Sequence, residues 1–108
     1  MKIATPLLAT IAAIALAAPA QAYKTFEQDY QICTTGSGKV DNKVIVAACT
    51  RLIDNAQAQN EIVGFFHALR AVANTDRKLN CHDGKVALKL LQGENLKANA
   101  RALIKSNC

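Results

Sequence analysis

The chain has no tryptophan, and its 108 residues include only three phenylalanines and two tyrosines. Large aromatic rings contribute most of the burial in a small core, so the scarcity of rings shows where that core must form. Phe65 and Phe66 stand side by side, and the rest of the chain is expected to pack onto their segment. The four cysteines contain no C-x-x-C pair, which argues against a zinc site and leaves no metal or cofactor to expect. No internal repeat, low-complexity linker or credible β-hairpin is present. The run Gly36-Ser37-Gly38 has no strand before it and lacks the spacing of a phosphate loop, so it is a turn.

There is only one long apolar run. Lys2 supplies a short positive start, and residues 3–18 are apolar apart from Thr5, Pro6 and Thr10. Pro19 then breaks the run, and Ala20-Gln21-Ala22 forms a small-residue cleavage signal before Tyr23. The run is shorter than the ~20 residues a membrane-spanning helix needs. Residues 1–22 are therefore expected to be a cleaved signal peptide, with residues 23–108 as a single domain in the periplasm or secreted and no transmembrane segment. No cysteine follows the cut, which argues against a lipoprotein.

What remains is short, and chains of this size bury a modest share of their surface. All four cysteines, Cys33, Cys49, Cys81 and Cys108, lie in it. An even number in an exported chain implies two disulfides, with three possible pairings.

Apolar residues recur at helical spacing throughout. Phe26, Tyr30 and Cys33 mark a first helix over residues 23–34, with Thr25 and Gln28 in the positions of a capping box. Asp41 or Asn42 caps a second through about residue 55, with Ile45, Ala48, Cys49, Leu52 and Ile53 inward. Asn60 caps a third over 60–76, with Ile62, Phe65, Phe66, Leu69, Val72 and Ala73 as its apolar face. Residues 77–84 are expected to form a loop holding Cys81. Asp83 then caps a fourth helix over 85–92, and Asn95 caps a fifth over 96–107. The expected fold is all-α, a small bundle of four to five short helices stapled by two disulfides. If the first two helices form an antiparallel hairpin, Cys33 can meet Cys49. Cys81 is then left to Cys108, tying down a chain end that would otherwise fray.

Catalytic candidates are weak. His67 is expected as a partly exposed helix residue, with no carboxylate among its helical neighbours. His82 follows a cysteine expected to be bridged and precedes Asp83, yet adjacent residues point in different directions. The carboxylates show no pairing suited to acid–base work, so no enzyme is expected.

Charge is uneven. Residues 23–76 hold five basic and six acidic groups, whereas residues 77–108 hold seven basic and two acidic groups. Lys85 and Lys89 share one helical face, as do Lys97, Arg101 and Lys105. Such a strip suits an acidic protein or an anionic surface, the latter held weakly, and for an exported chain not a nucleic acid. Phe65 and Phe66 cannot both be fully inward, and Phe65 is the candidate for an interface anchor.

The order of cysteines and helices is the basis of one resemblance. Cys33 sits in an early helix, Ala48-Cys49 in the second, Cys81 after the third, and a last helix ends in ARALIKSNC. The layout resembles that of type VI secretion amidase immunity proteins. The resemblance implies a disulfide-bonded helical periplasmic protein that binds and blocks a peptidoglycan-cutting toxin, with dimers as the usual form. A more local resemblance lies in DNKVIVAACTRLI, which is similar to the first helix of tetratricopeptide or Sel1-like units and implies a helical hairpin. The expected function is thus binding of a protein partner, an acidic toxin or client, with a homodimer as one option. The alternative is a periplasmic stress chaperone or envelope-associated adaptor that uses the basic strip.

Overall fold

The computed structural model describes residues 25–108. The expected signal peptide lies outside the described residues. Five helices follow in order: α1 Phe26–Thr35, α2 Asn42–Asp54, α3 Glu61–Ala73, α4 Arg77–Leu90 and α5 Glu94–Asn107. Among the described residues there is no strand. The all-α expectation holds, and so do both disulfides, Cys33–Cys49 and Cys81–Cys108, whose Cα atoms lie 5.0 and 5.1 Å apart.

Short connectors turn the chain back after each helix, and each helix packs on the next. α1 also touches α3, and α3 touches α5, so the odd-numbered helices share one side of the array. α3 is the centre, with neighbours on both flanks.

Side-chain caps start three of the helices. Asp41 accepts from the Lys43 amide, Asn60 from the Val63 amide, and Asp76 from the amides of Lys78 and Leu79. Each satisfies a donor that a helix start leaves unpaired. Thr25 differs from expectation, since it makes no capping bond and its hydroxyl donates to the Asp29 carboxylate instead, at 3.3 Å.

The largest difference is at residues 77–84, which are helix and not loop. Asp76 caps α4, so Asp83 lies inside the helix, fully buried. Gly84, the last residue of the expected loop, also lies inside α4, where its role is close approach. A Cβ placed there would lie 3.1 Å from Ile104 Cγ1 and 3.3 Å from the Ile104 amide nitrogen. Gly64 does the same between α3 and α4, where a Cβ would come within 2.8 Å of Leu90 Cβ. At the last helix, Gly93 (φ +87°) occupies the capping position expected of Asn95, and Glu94 opens α5.

Two cores result. The first gathers Cys33, Ile45, Ala48, Cys49, Leu52 and Phe66, with Tyr30 and Leu69 packed against them. The Tyr30 ring meets Phe66 edge-on at 6.0 Å. The second is built on Ala87, Leu91 and Ala100, with Phe65, Ala68 and Leu88 around them.

α3 is rotated relative to expectation. Its buried side carries Val63, Phe66, His67 and Arg70, along with Gly64 and Ala71. Of the expected apolar face, Phe66 is buried and Phe65, Leu69 and Ala73 pack half-buried against the two cores, while Ile62 and Val72 turn to the open side. Ile62 is 42% exposed and Val72 is 69% exposed, while Phe65 and Leu69 are half-buried. The physical reason is position. A helix with partners on two flanks must bury a broad arc, and here that arc includes polar groups that find partners on α2 and α4.

Candidate functional site

Three features could carry function: a buried polar cluster, a basic flank and an apolar groove.

The cluster centres on Asp83 of α4. Arg70 of α3 grips both its oxygens, with Nε donating to Oδ2 at 2.8 Å and NH2 donating to Oδ1 at 2.7 Å. His67 Nδ1 lies 2.8 Å from Oδ1. An ionised carboxylate only accepts hydrogen bonds, so this nitrogen carries the proton and donates. Arg70 NH1 also donates to the Thr50 hydroxyl of α2 at 3.1 Å, and that hydroxyl donates to the Val46 carbonyl at 2.7 Å. The side chains of His67, Arg70 and Asp83 are 7%, 9% and 0% exposed.

Two opposing effects act on Asp83. Burial pushes its carboxyl up, but the hydrogen bonds from Arg70 and His67 outweigh that and hold it below the usual carboxylate range. The Asp83 hydrogen bond also raises the Arg70 guanidinium above its ordinary value. A bidentate, charge-assisted pair of this kind is strong and directional. Here it locks α2, α3 and α4 together.

His67 therefore departs from the expected exposed position, and it does have a carboxylate, supplied by the next helix. Its orientation by Asp83 is of the sort a general base requires. A nucleophile for it to activate is another matter. The Thr50 hydroxyl is engaged on both sides, and all four cysteines are bridged. The exposed His82 ring meets that of His67 edge-on, with ring centroids 6.1 Å apart. Among the described residues no three metal-ligating side chains converge.

Arg70 and Thr50 were not singled out by sequence, and Asp83 was expected as a helix cap instead of their buried partner. A signal for the first exists: Val63, Phe66, His67 and Arg70 repeat at i, i+3, i+4 and i+7, the spacing of one helix face. A second ion pair was also missed. Arg51 of α2 donates through NH2 to Asp29 Oδ1 of α1 at 2.8 Å, and Asp29 is buried.

The basic residues occupy α4 and α5. Lys85, Lys89, Arg101 and Lys105 are exposed, and Lys97 is half-buried. By helical periodicity, the α5 trio lies on the flank opposite Asn99 and Leu103, away from α3. One charge is already partnered within the chain, since Arg101 NH2 donates to Glu94 Oε1 at 3.0 Å. That pair is exposed and contributes little to stability.

Phe65, by contrast, lies in the groove between α3 and α5. Phe65, Leu69, Val72, Leu96, Ala102 and Leu103 line a cavity of about 330 Å³. Asn99 and Ser106 are its polar members, and no charged side chain lines it. Near one end, Glu61 accepts from the Gln92 amide at 3.1 Å, tying the start of α3 to the end of α4.

Compared with models of known protein families, with curated proteins and with solved structures, the chain matches none.

Proposed function

We propose that this is an exported protein without enzymatic activity that acts by binding another protein. The observation that carries the reading is the apolar stripe of α3, Ile62, Phe65, Leu69 and Val72, left partly open on a scaffold held by two disulfides. Disulfides of this kind belong to oxidising compartments, which supports a periplasmic or secreted location. No helix among the described residues is long and apolar enough to cross a membrane. The polar cluster fits this reading as a structural lock, because the Arg70 guanidinium and both Asp83 oxygens are engaged across α2, α3 and α4.

The sharpest form of the proposal is an immunity-type inhibitor that occludes an envelope-targeted hydrolase toxin. The order of cysteines and helices supports it through resemblance to the amidase immunity proteins. The test is affinity capture from periplasmic extract with the oxidised protein, alongside a protection assay against envelope hydrolases. A captured hydrolase whose activity falls on binding is the expected result. Recovery of no protein partner, with no protection, would overturn the proposal.

A second reading uses the basic flank to hold clients or the anionic envelope surface, as a stress chaperone or adaptor would. The net charge of residues 77–108 favours it. Reversing Lys97, Arg101 and Lys105 to glutamate abolishes binding if that flank carries the affinity. If the flank only steers a partner to another face, the change slows association and spares the complex.

A further inference from the structure

We infer that His67 and His82 form a two-imidazole site between α3 and α4 for a single copper ion in its monovalent state, Cu+. The inference goes beyond the protein-binding reading, and either can fail without the other.

The first observation is an unused lone pair. His67 Nδ1 donates to the Asp83 carboxylate at 2.8 Å, so in the neutral ring Nε2 carries no proton and presents a lone pair. Nothing among the described residues donates to it. Asn80 Oδ1 is the only fully buried side-chain nitrogen or oxygen among the described residues that lacks a partner. His67 Nε2 therefore reaches the surface, in line with the 7% exposure of its side chain. A carboxylate on the other ring nitrogen is the arrangement that fixes the tautomer and orientation of a metal-binding histidine and raises its basicity. Asp83 supplies it here, and Arg70 holds Asp83 in place through both oxygens.

The second observation is the neighbouring ring. His82 is exposed, with its ring centroid 6.1 Å from that of His67. When two imidazoles bind one ion through nitrogens at about 2.0–2.1 Å, each ring centre lies about 3.2 Å from it, so the centres stand roughly 5 Å apart at a tetrahedral angle and roughly 6.4 Å apart when the ligands are opposed. The observed spacing falls inside that range, toward the opposed arrangement. No hydrogen bond within the described residues holds the His82 ring, so rotation of its side chain suffices to aim a nitrogen at the ion.

The third observation is the shortage of other ligands. Among the described residues no three metal-ligating side chains converge, and all four cysteines are bridged. The ion must be satisfied by two neutral nitrogen donors. Zinc takes three or four protein ligands, and calcium and magnesium take oxygens. Imidazole suits copper, and Cu+, with its filled d shell, is content with two opposed donors. The surrounding charges favour a single positive charge as well. Arg70 and Asp83 offset one another. Lys78 and Lys85, exposed about one turn to either side of His82 on α4, repel a divalent ion more strongly than a monovalent one.

The test titrates the oxidised chain with Cu+, kept reduced by ascorbate under nitrogen, against a chromophoric Cu+ chelator. A thiol assay confirms that the disulfides stay closed. The expected result is one ion per chain, with the imidazole nitrogen and ring-proton resonances of both His67 and His82 shifting together. His82→Ala, at an exposed position that leaves the fold intact by circular dichroism, should weaken binding by about tenfold or more. His67→Asn, whose side-chain amide can still donate to Asp83, should do the same, and His82→Ala decides the matter if that variant misfolds.

Binding indifferent to His82→Ala, or resonance shifts at only one of the two rings, would overturn the inference. So would uptake that appears only once the disulfides are reduced, since thiolates would then be the ligands. A tighter hold on Zn2+ than on Cu+ in the same competition would overturn it too, because such a site needs more than two imidazoles.

Discussion

The two ends of the array are held together differently. α1, α2 and the facing side of α3 enclose large side chains, Ile45, Leu52, Phe66 and Tyr30, around a disulfide that is itself core, with Cys33 and Cys49 3% and 0% exposed. α4 and α5 have little of this. Their core is alanine-rich, their backbones close up at Gly84, and their disulfide lies at the rim, with Cys81 half-buried and Cys108 exposed. The first half gains stability from apolar area, at roughly 25 cal/mol per Å². The second relies on close approach, a cross-link and the Arg70–Asp83 lock. Small interfaces leave surface free, and the groove and the basic flank both lie on the second half.

Substitutions that remove one support at a time would sharpen this contrast. The largest effect is expected at Asp83→Asn, which leaves the Arg70 guanidinium buried without its counter-charge. Breaking a buried pair in this way costs about 3–5 kcal/mol, measurable as a lower midpoint in urea. Loss of the Cys81–Cys108 bridge in the double serine variant should follow, at about 3 kcal/mol in the chain-entropy model. Hydrogen exchange would then show α5 losing protection while α1 to α3 keep theirs. If α1 and α2 loosen equally, the two halves are one cooperative unit and the contrast fails.

Gly84→Ala comes next. A methyl group usually strengthens a helix interior by up to about 1 kcal/mol over glycine. Here it meets the Ile104 backbone, and overpacking of about 1–3 kcal/mol should outweigh the gain. A higher melting temperature would show that α4 and α5 can move apart freely. Asp41→Ala, which removes the α2 cap, should cost about 1 kcal/mol and gives the smallest change of the set.

Acid provides a further probe. The carboxyl of Asp83 is held below its unfolded value, so its contribution is fully present above about pH 4, the ordinary aspartate range. It declines as pH falls through the folded value, because the unfolded chain then takes up the proton first. Asp83→Asn should flatten that part of the stability profile, which denaturant melts across the acid range would reveal.

How much of this could be read from residues alone depends on the range of each interaction. Hairpin order brings Cys33 to Cys49 whatever the details, and the pairing of the other two follows. Helical periodicity located all five helices, because each has an apolar repeat of its own. It failed at 77–84, where Asp83 has the look of a cap and Gly84 of the end of a loop. Both have long-range roles instead, with Asp83 bonded to a histidine 16 residues away. On α3 two interleaved repeats compete. Hydrophobicity selects Ile62, Phe65, Phe66, Leu69, Val72 and Ala73, whereas the flanking helices select Val63, Phe66, His67 and Arg70, with Phe66 common to both. No count along one strand of sequence can tell which neighbours a helix will have on its two sides.

The two sulfur bridges do not interleave: one spans residues 33 to 49, and the next begins only at 81. A chain emerging from its N-terminal end can seal the first as soon as residue 49 is free, closing a short loop whose entropic cost is low. The second pair of thiols then meets no competing partner. Order of appearance thus selects the correct connectivity without help from the finished fold, and α3 is the one helix that joins the two halves with no covalent tie of its own.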